Sequence, residues 1–220
     1  MILAQAFILS VMDTDSSIIL ELKKLKLVLD ISQPVKALIK NIHGQRFKIY
    51  LSNNSMIHRI ASSIEDLPDM RELISHSGLE FMQNMIEGKL PGPPIGHAMN
   101  FKPIEASFGR VVFEGVPGFK MTNPMRGVHG GWYGAILDSC MSCAVMSTLE
   151  KGKIYTTLEF KVNITRPIPV ETRVIATGEV QHHGRSTGVA RGEIRCADGS
   201  ELYATGSTTC IVMDPIKNPG

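Results

Sequence analysis

The stretch Asn123 to Leu149, NPMRGVHGGWYGAILDSCMSCAVMSTL, decides the reading of this chain. From Gly130 onward it is apolar around nearly the whole circumference of a helix, yet it carries one carboxylate, Asp138, with no Lys or Arg within two turns. An ionised carboxylate taken out of water costs several kcal/mol unless it is paired or hydrogen-bonded. Asp138 therefore needs either polar neighbours, which Tyr133, Ser139 or Ser142 could supply, or a chemical task. The same helix opens at Gly130-Gly131, where backbone N–H groups lack intrahelical acceptors and the positive end of the helix dipole emerges. Such an end stabilises a developing oxyanion.

A helix that is apolar on all sides has to be enclosed. The run is long enough to be weighed as a membrane span, but Gly134, Asp138, Ser139 and Ser142 interrupt it, and the segments that follow alternate as strands do in a soluble protein. A surrounding sheet is the better enclosure. Ile154 to Arg166 supplies the clearest strand, with Leu158, Phe160, Val162 and Ile164 on one face and Thr157, Glu159, Lys161 and Asn163 on the other, closed by Pro167 and Pro169. Val170 to His182 and Ser186 to Cys196 follow around a turn at Gly184, and Asp198-Gly199 marks a hairpin before Glu201 to Met213. Strands joined by short turns give an antiparallel sheet, so the expectation is an α+β fold with one central helix.

Upstream, Ile104 to Val116 reads as one more strand region, and Met70 to Leu90 as a helix ended by Gly88 and the cluster Pro91-Gly92-Pro93-Pro94. Composition changes near residue 70, which divides the chain into an N-terminal extension (1–69), a main domain (70–215) and a short tail (216–220). In the extension only Ile18 to Leu29 has an amphipathic stripe, through Ile18, Leu22, Leu25 and Leu29. The extension carries no recognisable chemistry, and a true start at Met56 or Met70 would account for it.

With 220 residues, 43% hydrophobic and 20% charged, the chain has room for one good core plus an appendage. A net charge of +2 and no basic recognition helix argue against nucleic acid as partner. Met1 to Met12 is apolar but lacks the basic start and small-residue cleavage site of a signal peptide. Cys140 and Cys143 form a C-x-x-C inside the helix with no second pair to complete a zinc set, and with Cys196 and Cys210 they read as buried packing residues in a reducing cytoplasm. His182-His183 lacks further ligands at metal spacing. No metal and no cofactor are expected.

The run N-P-M-R-G-V-H-G-G-x₆-D, preceded by L-P-G-P-P-I and followed by Y-T-T-L-E-F-x₅-R-P, H-H-G-R and A-D-G-S-E-L-Y-A-T-G-S-T-T-C, resembles the hotdog-fold acyl-CoA thioesterases of the phenylacetate-degradation (PaaI-like) type. The resemblance covers residues 70–215 and rests most specifically on the H-G-G-to-Asp spacing. It implies a helix swallowed by an antiparallel sheet, dimers whose sheets join, and tetramers built from two dimers. It also implies hydrolysis of an acyl-CoA, aromatic or medium-chain, to the free acid and coenzyme A.

Helix geometry adds a constraint of its own. Asp138 lies eight residues beyond Gly130, hence about 12 Å along the axis, whereas a base must come within about 3 Å of the reacting atom. Two protomers with antiparallel helices would bring Asp138 of one to the Gly130 N–H of the other, giving two composite sites per dimer.

The candidate catalytic residues are then Asp138, as general base or nucleophile, and Gly130, as oxyanion donor through its N–H. The resemblance adds Asn123, which equally suits a turn before Pro124, and Thr157, at the family's hydroxyl position, to hold the water. His129, beside the glycines, has two readings: a hydrogen bond to the substrate carbonyl or a cap on the helix. For substrate binding, Gly131, Arg166, Gly184 and Arg185 match positions that receive the pantetheine arm and phosphates, where guanidinium suits phosphate geometry. Trp132, Tyr133 and Met141 suit either an acyl pocket or the core. A hotdog dehydratase would want a His and an acid in different segments, which the single Asp disfavours. From another class, a non-catalytic acyl-CoA sensor would use the same fold without needing a buried Asp beside the H-G-G turn.

Overall fold

The central helix begins where the glycines place it. In the computed structural model, which describes residues 38–42, 45–49 and 59–215, that helix spans Gly130–Met146. Contacts separate the chain into two units, Met1–Ser55 and Met56–Gly220. In the first, strands β1 (Leu38–Ile42) and β2 (Gln45–Ile49) form an antiparallel hairpin; the amphipathic stripe at residues 18–29 and the tail at 216–220 lie outside the described residues.

The second unit begins upstream of residue 70. Ile60 runs parallel beside Gly92, whose N–H donates to the Arg59 carbonyl at 2.7 Å while Ala61 N–H donates to Gly92 O at 3.0 Å, and Ala61 is buried. The segment read as one helix from Met70 to Leu90 is two, α1 (Met70–Ser75) and α2 (Gly78–Ile86). Ser77 breaks it: its side chain and that of Glu80 form a reciprocal capping box, which restarts the helix at Gly78. A third short helix, α3 (Pro94–Ala98), begins inside the proline cluster, with Pro94 in the first turn where its missing N–H costs nothing.

Likewise, the region expected as one strand is a hairpin, β3 (Phe101–Ser107) and β4 (Arg110–Gly115), turned at Gly109 with φ +75°. The helix Gly130–Met146, α4, follows, and then β5 (Ile154–Ile164), β6 (Val174–His183), β7 (Thr187–Cys196) and β8 (Leu202–Met213). They form one antiparallel six-stranded sheet in the order β3-β4-β6-β7-β8-β5. Helix α4 touches every strand of it. Trp132, Tyr133, Ile136, Leu137, Cys140, Met141, Ala144 and Val145 of α4 are buried against Val111, Phe113, Val174, Ala176, Ala190, Ile194, Tyr203, Ala204 and Cys210.

Helix and sheet approach closely because the sheet is glycine-lined where they cross. A Cβ on Gly178 would stand 2.1 Å from the Cys140 carbonyl oxygen, which only glycine avoids. At the other end of α4, the N-terminus of α2 abuts the final turn, with Gly78 N–H donating to Leu149 O at 2.9 Å.

One strand departs from simple alternation. In β5 the register against β8 slips between Thr157 and Glu159, leaving Leu158 as the extra residue of a bulge. The slip reverses the phase, so Thr157 faces α4 instead of sharing a side with Glu159 and Lys161. Phe160 and Ile164 still lie over α4, against Gly134 and Gly130 respectively. Leu158, Phe160 and Ile164 nevertheless remain 58%, 46% and 50% exposed, because β5 is an edge strand with nothing described beyond it.

Candidate active site

Two places on α4 carry polar function, its N-terminus and its middle. At the N-terminus, His129 is the cap residue: its Nδ1 accepts a hydrogen bond from Gly131 N–H at 2.9 Å, and its carbonyl accepts from Trp132 N–H at 2.9 Å. Capping fixes Nδ1 as the acceptor nitrogen and leaves Nε2 as the N–H of the neutral ring. Of the two readings of His129 the cap is the one observed, and it takes up the Gly131 N–H. The Gly130 N–H, one residue earlier, donates to no acceptor among the described residues. It is the exposed donor of this helix start.

The loop before the cap is a tight turn. Asn123 Oδ1 accepts from Met125 N–H at 3.0 Å and Gly127 N–H at 3.2 Å, Asn123 N–H donates to Gly127 O at 2.8 Å, and Arg126 has φ +64°. The turn-forming role of Asn123 is thus realised through its oxygen. Its amide nitrogen has no partner among the described residues, so a donor remains free.

Two turns further along α4, Asp138 is half-buried and accepts from the Thr157 hydroxyl at 3.0 Å. The β5 bulge is what aims Thr157 at it. Oδ2 of Asp138 has no donor among the described residues, and because no unpaired side-chain oxygen there is fully buried, Oδ2 is open. Burial raises the Asp138 carboxyl above the ordinary range, and the Thr157 hydrogen bond lowers it in part. An accessible, desolvated carboxylate with one oxygen tethered and the other free suits a base or nucleophile.

Asp138 opens onto a cavity of about 350 Å³ between the two edges of the curled sheet. Ser139, Ser142 and Cys143 of α4 and Tyr155 of β5 lie beside it, the walls are Phe101, Phe113 and Met85, and α3 with the Arg59–Ile60 segment covers it. Sequence reasoning left most of these unassigned, although Asp138, Ser139, Ser142 and Cys143 are spaced to share one helix face. Burial pushes the Cys143 thiol up to about 12 and raises Cys140 and Cys210 as well, so these thiols stay protonated at neutral pH.

Trp132, Tyr133 and Met141 belong to the core and not to the cavity: the Trp132 ring N–H donates to Met99 O at 2.7 Å, and Tyr133 OH accepts from Ile168 N–H at 2.8 Å. Arg166, just past β5, is tied to Glu201 on the surface. Gly184 and Arg185 form the β6–β7 turn, where Arg185 is exposed and has no partner among the described residues. None of these three residues lines the cavity beside Asp138. No cluster of three metal-ligating side chains occurs among the described residues, and no helix there is long and apolar enough to cross a membrane.

Residues 126–203, from the turn before the His129 cap to β8, match the family described as the Thioesterase superfamily. A phenylacetic acid degradation-related protein from Ralstonia eutropha JMP134 has a similar structure, with 25% identity, a TM-score of 0.55, and coverage of 60% of this chain and 98% of that one. The E. coli PaaI protein from the phenylacetic acid degradation operon superposes with a TM-score of 0.55 at 21% identity, covering 64% and 96%. A thioesterase family protein from Silicibacter pomeroyi does so at 0.55 and 24%, covering 60% and 98%. No curated protein matches the sequence. The domain is a hotdog-fold thioesterase, a thioester hydrolase with one helix enclosed by an antiparallel sheet. Within that class it is similar in fold to proteins of the PaaI-like type.

Proposed function

We propose that the protein hydrolyses an acyl-CoA, aromatic or medium-chain, to the free acid and coenzyme A, in sites shared between two protomers. The observation that carries this reading is Asp138, held by Thr157 at 3.0 Å on one side and open to the cavity on the other. Its carboxylate takes a proton from water as that water attacks the thioester carbonyl, after which the C–S bond breaks and the coenzyme A thiolate leaves with that proton; alternatively it attacks the carbonyl itself, expelling the thiolate to give an anhydride that water then opens to two carboxyl groups. The carbonyl oxygen, gaining charge, is received by the Gly130 N–H of the partner subunit, because the Gly130 of the same chain lies about 12 Å along the helix from Asp138. Asn123 presents its free amide to the same oxygen, and His129 acts through the cap it makes rather than as acid or base. Arg185, with Gly184 shaping its turn, and Arg166 receive phosphate of coenzyme A at the surface.

Dimerisation is favoured by β5, an unpaired edge bearing Leu158, Phe160 and Ile164 half in solvent. Edge-to-edge pairing of two β5 strands would continue the sheet and set the two α4 helices antiparallel, and two such dimers could form a tetramer. The four free cysteines suit a reducing compartment such as the cytoplasm.

Mixing an Asp138→Asn chain with an Asn123→Ala chain tests the shared site. After subunit exchange, verified by mass spectrometry, one site of each heterodimer collects both lesions and the other is whole, so activity should recover to at most about half of wild type per heterodimer. Activity that stays at the level of the two parents after exchange removes the composite site.

A further inference from the structure

The cavity beside Asp138 is asymmetric in charge. Its less exposed lining comes from α4, with Ser142 buried and Asp138 and Cys143 half-buried, and from the buried apolar side chains of Phe101, Phe113 and Met85. Its exposed lining carries two cations, Arg59 on the covering segment and Lys102 on β3. One carboxylate, Glu114, faces Lys102 across the β3–β4 register, but it is already held by the Arg173 guanidinium through two nitrogens. Arg59 stands near Asp66, whose carboxyl is bound mainly by Ser62. Lys102 makes no ion pair among the described residues, Glu114 being engaged by Arg173. The exposed lining therefore carries positive charge in excess of what the chain itself neutralises.

Size decides what enters. At about 30 Å³ per water-sized group, 350 Å³ holds about a dozen non-hydrogen atoms, far fewer than coenzyme A and comparable to an acyl chain of six to ten carbons. With the thioester carbonyl at Asp138, the acyl group runs along the apolar side chains and its far end emerges at the exposed lining. Resting on the thioesterase reading above, we propose that the acyl substrate bears an anionic group at its distal end, an ω-carboxyacyl thioester, recognised by Lys102 and Arg59. Distance from Asp138 is part of the logic: a carboxylate near the thioester would meet the Asp138 charge, whereas one at the far end meets cations. Both side chains are exposed, so each contributes modestly, roughly a factor of two to five per cation.

The test compares 6-carboxyhexanoyl-CoA with its methyl ester by thiol release, using the full chain, and repeats the pair as N-acetylcysteamine thioesters that carry no phosphate. The expected result is a kcat/KM for the free carboxylate about tenfold above the methyl ester in both thiol series, with that ratio falling to near one in Lys102→Met/Arg59→Met. Two outcomes overturn the inference: a ratio at or below one in the unmodified protein, or a loss in the double variant confined to the coenzyme A series, which would assign the cations to coenzyme A phosphate. Absence of release from every ester, neutral or charged, would instead sink the thioesterase reading on which the inference stands.

Discussion

The two edges of the sheet are treated oppositely. At the β3 edge the chain covers itself: α2 and α3 pack on β3, Phe101 is buried, and the Arg59–Gly92 pairing closes the cover. At the β5 edge nothing in the described chain caps the strand, and Leu158, Phe160 and Ile164 stand half in solvent, the last two over Gly134 and Gly130 of α4. A bare edge with apolar side chains is a site for strand pairing unless charge or cover prevents it. One edge thus shapes the cavity from within the chain, and on the proposed reading the other is completed by a second copy.

The largest effect should come from spoiling the open edge. Phe160→Glu with Ile164→Glu places two carboxylates on the seam without touching Asp138 or Thr157, and because both positions are about half exposed the protomer should keep its fold. Expected are a monomer by sedimentation and a loss of turnover of more than about a hundredfold, since each site would lack its oxyanion donor. A folded monomer with native turnover would show that a single chain suffices.

Asp138→Asn should come next, lowering kcat by about a hundredfold or more while the dimer persists. Its stability has a definite sign. The Asp138 carboxyl is raised in the fold, so the native state holds that proton more tightly than the unfolded chain does; the contribution is favourable at acid pH and is lost as pH rises through the folded value. At neutral pH the asparagine variant should therefore unfold at the same temperature as wild type or above it, with its advantage shrinking as the pH is lowered. For the same reason the acid limb of kcat/KM in the wild-type protein should lie above the ordinary carboxylate range. A limb at the unperturbed position, or one unchanged in the variant, would detach Asp138 from the rate.

Thr157 is subtler, and it shows where sequence reading stops. The apolar helix, its glycine start and its lone Asp were legible because each violates an expectation of soluble helices, and the antiparallel strands were legible from their turns. The phase of β5 was not, since alternation over Leu158 to Ile164 is continuous and a bulge leaves no mark in residue type. For that reason the sequence pattern groups Thr157 with Glu159 and Lys161, whereas in the fold Thr157 faces Asp138. The break at Ser77 was missed for a related reason: the apolar period runs through it, and only the Ser77–Glu80 pair announces the new helix. The cavity eluded sequence because its walls come from segments as far apart in the chain as Arg59 and Tyr155. Thr157→Val, which keeps shape and removes the hydroxyl, should lower kcat by about tenfold and shift the acid limb of the profile upward, because the hydrogen bond that lowers the Asp138 carboxyl is gone. A lower kcat with an unmoved limb would make Thr157 a holder of water only.

The smallest effects belong to the arginines, and they divide along the same line. Arg166 sits at the end of the open-edge strand but is already engaged by Glu201, whereas Arg185, on the β6–β7 turn, has no partner among the described residues. A guanidinium tied to a carboxylate has less to offer a phosphate than a free one, and an exposed pair contributes little in either case. Arg185→Ala should therefore raise KM for a coenzyme A ester by about three- to fivefold and leave a pantetheine thioester unchanged, while Arg166→Ala should change either by less than about twofold. Glu201→Gln supplies the cross-check. If the ion pair is what silences Arg166, freeing it should lower KM for the coenzyme A ester alone, and removing Arg166 in that background should abolish the gain. Equal changes for both thioesters would make these arginines surface charges without a role in binding coenzyme A.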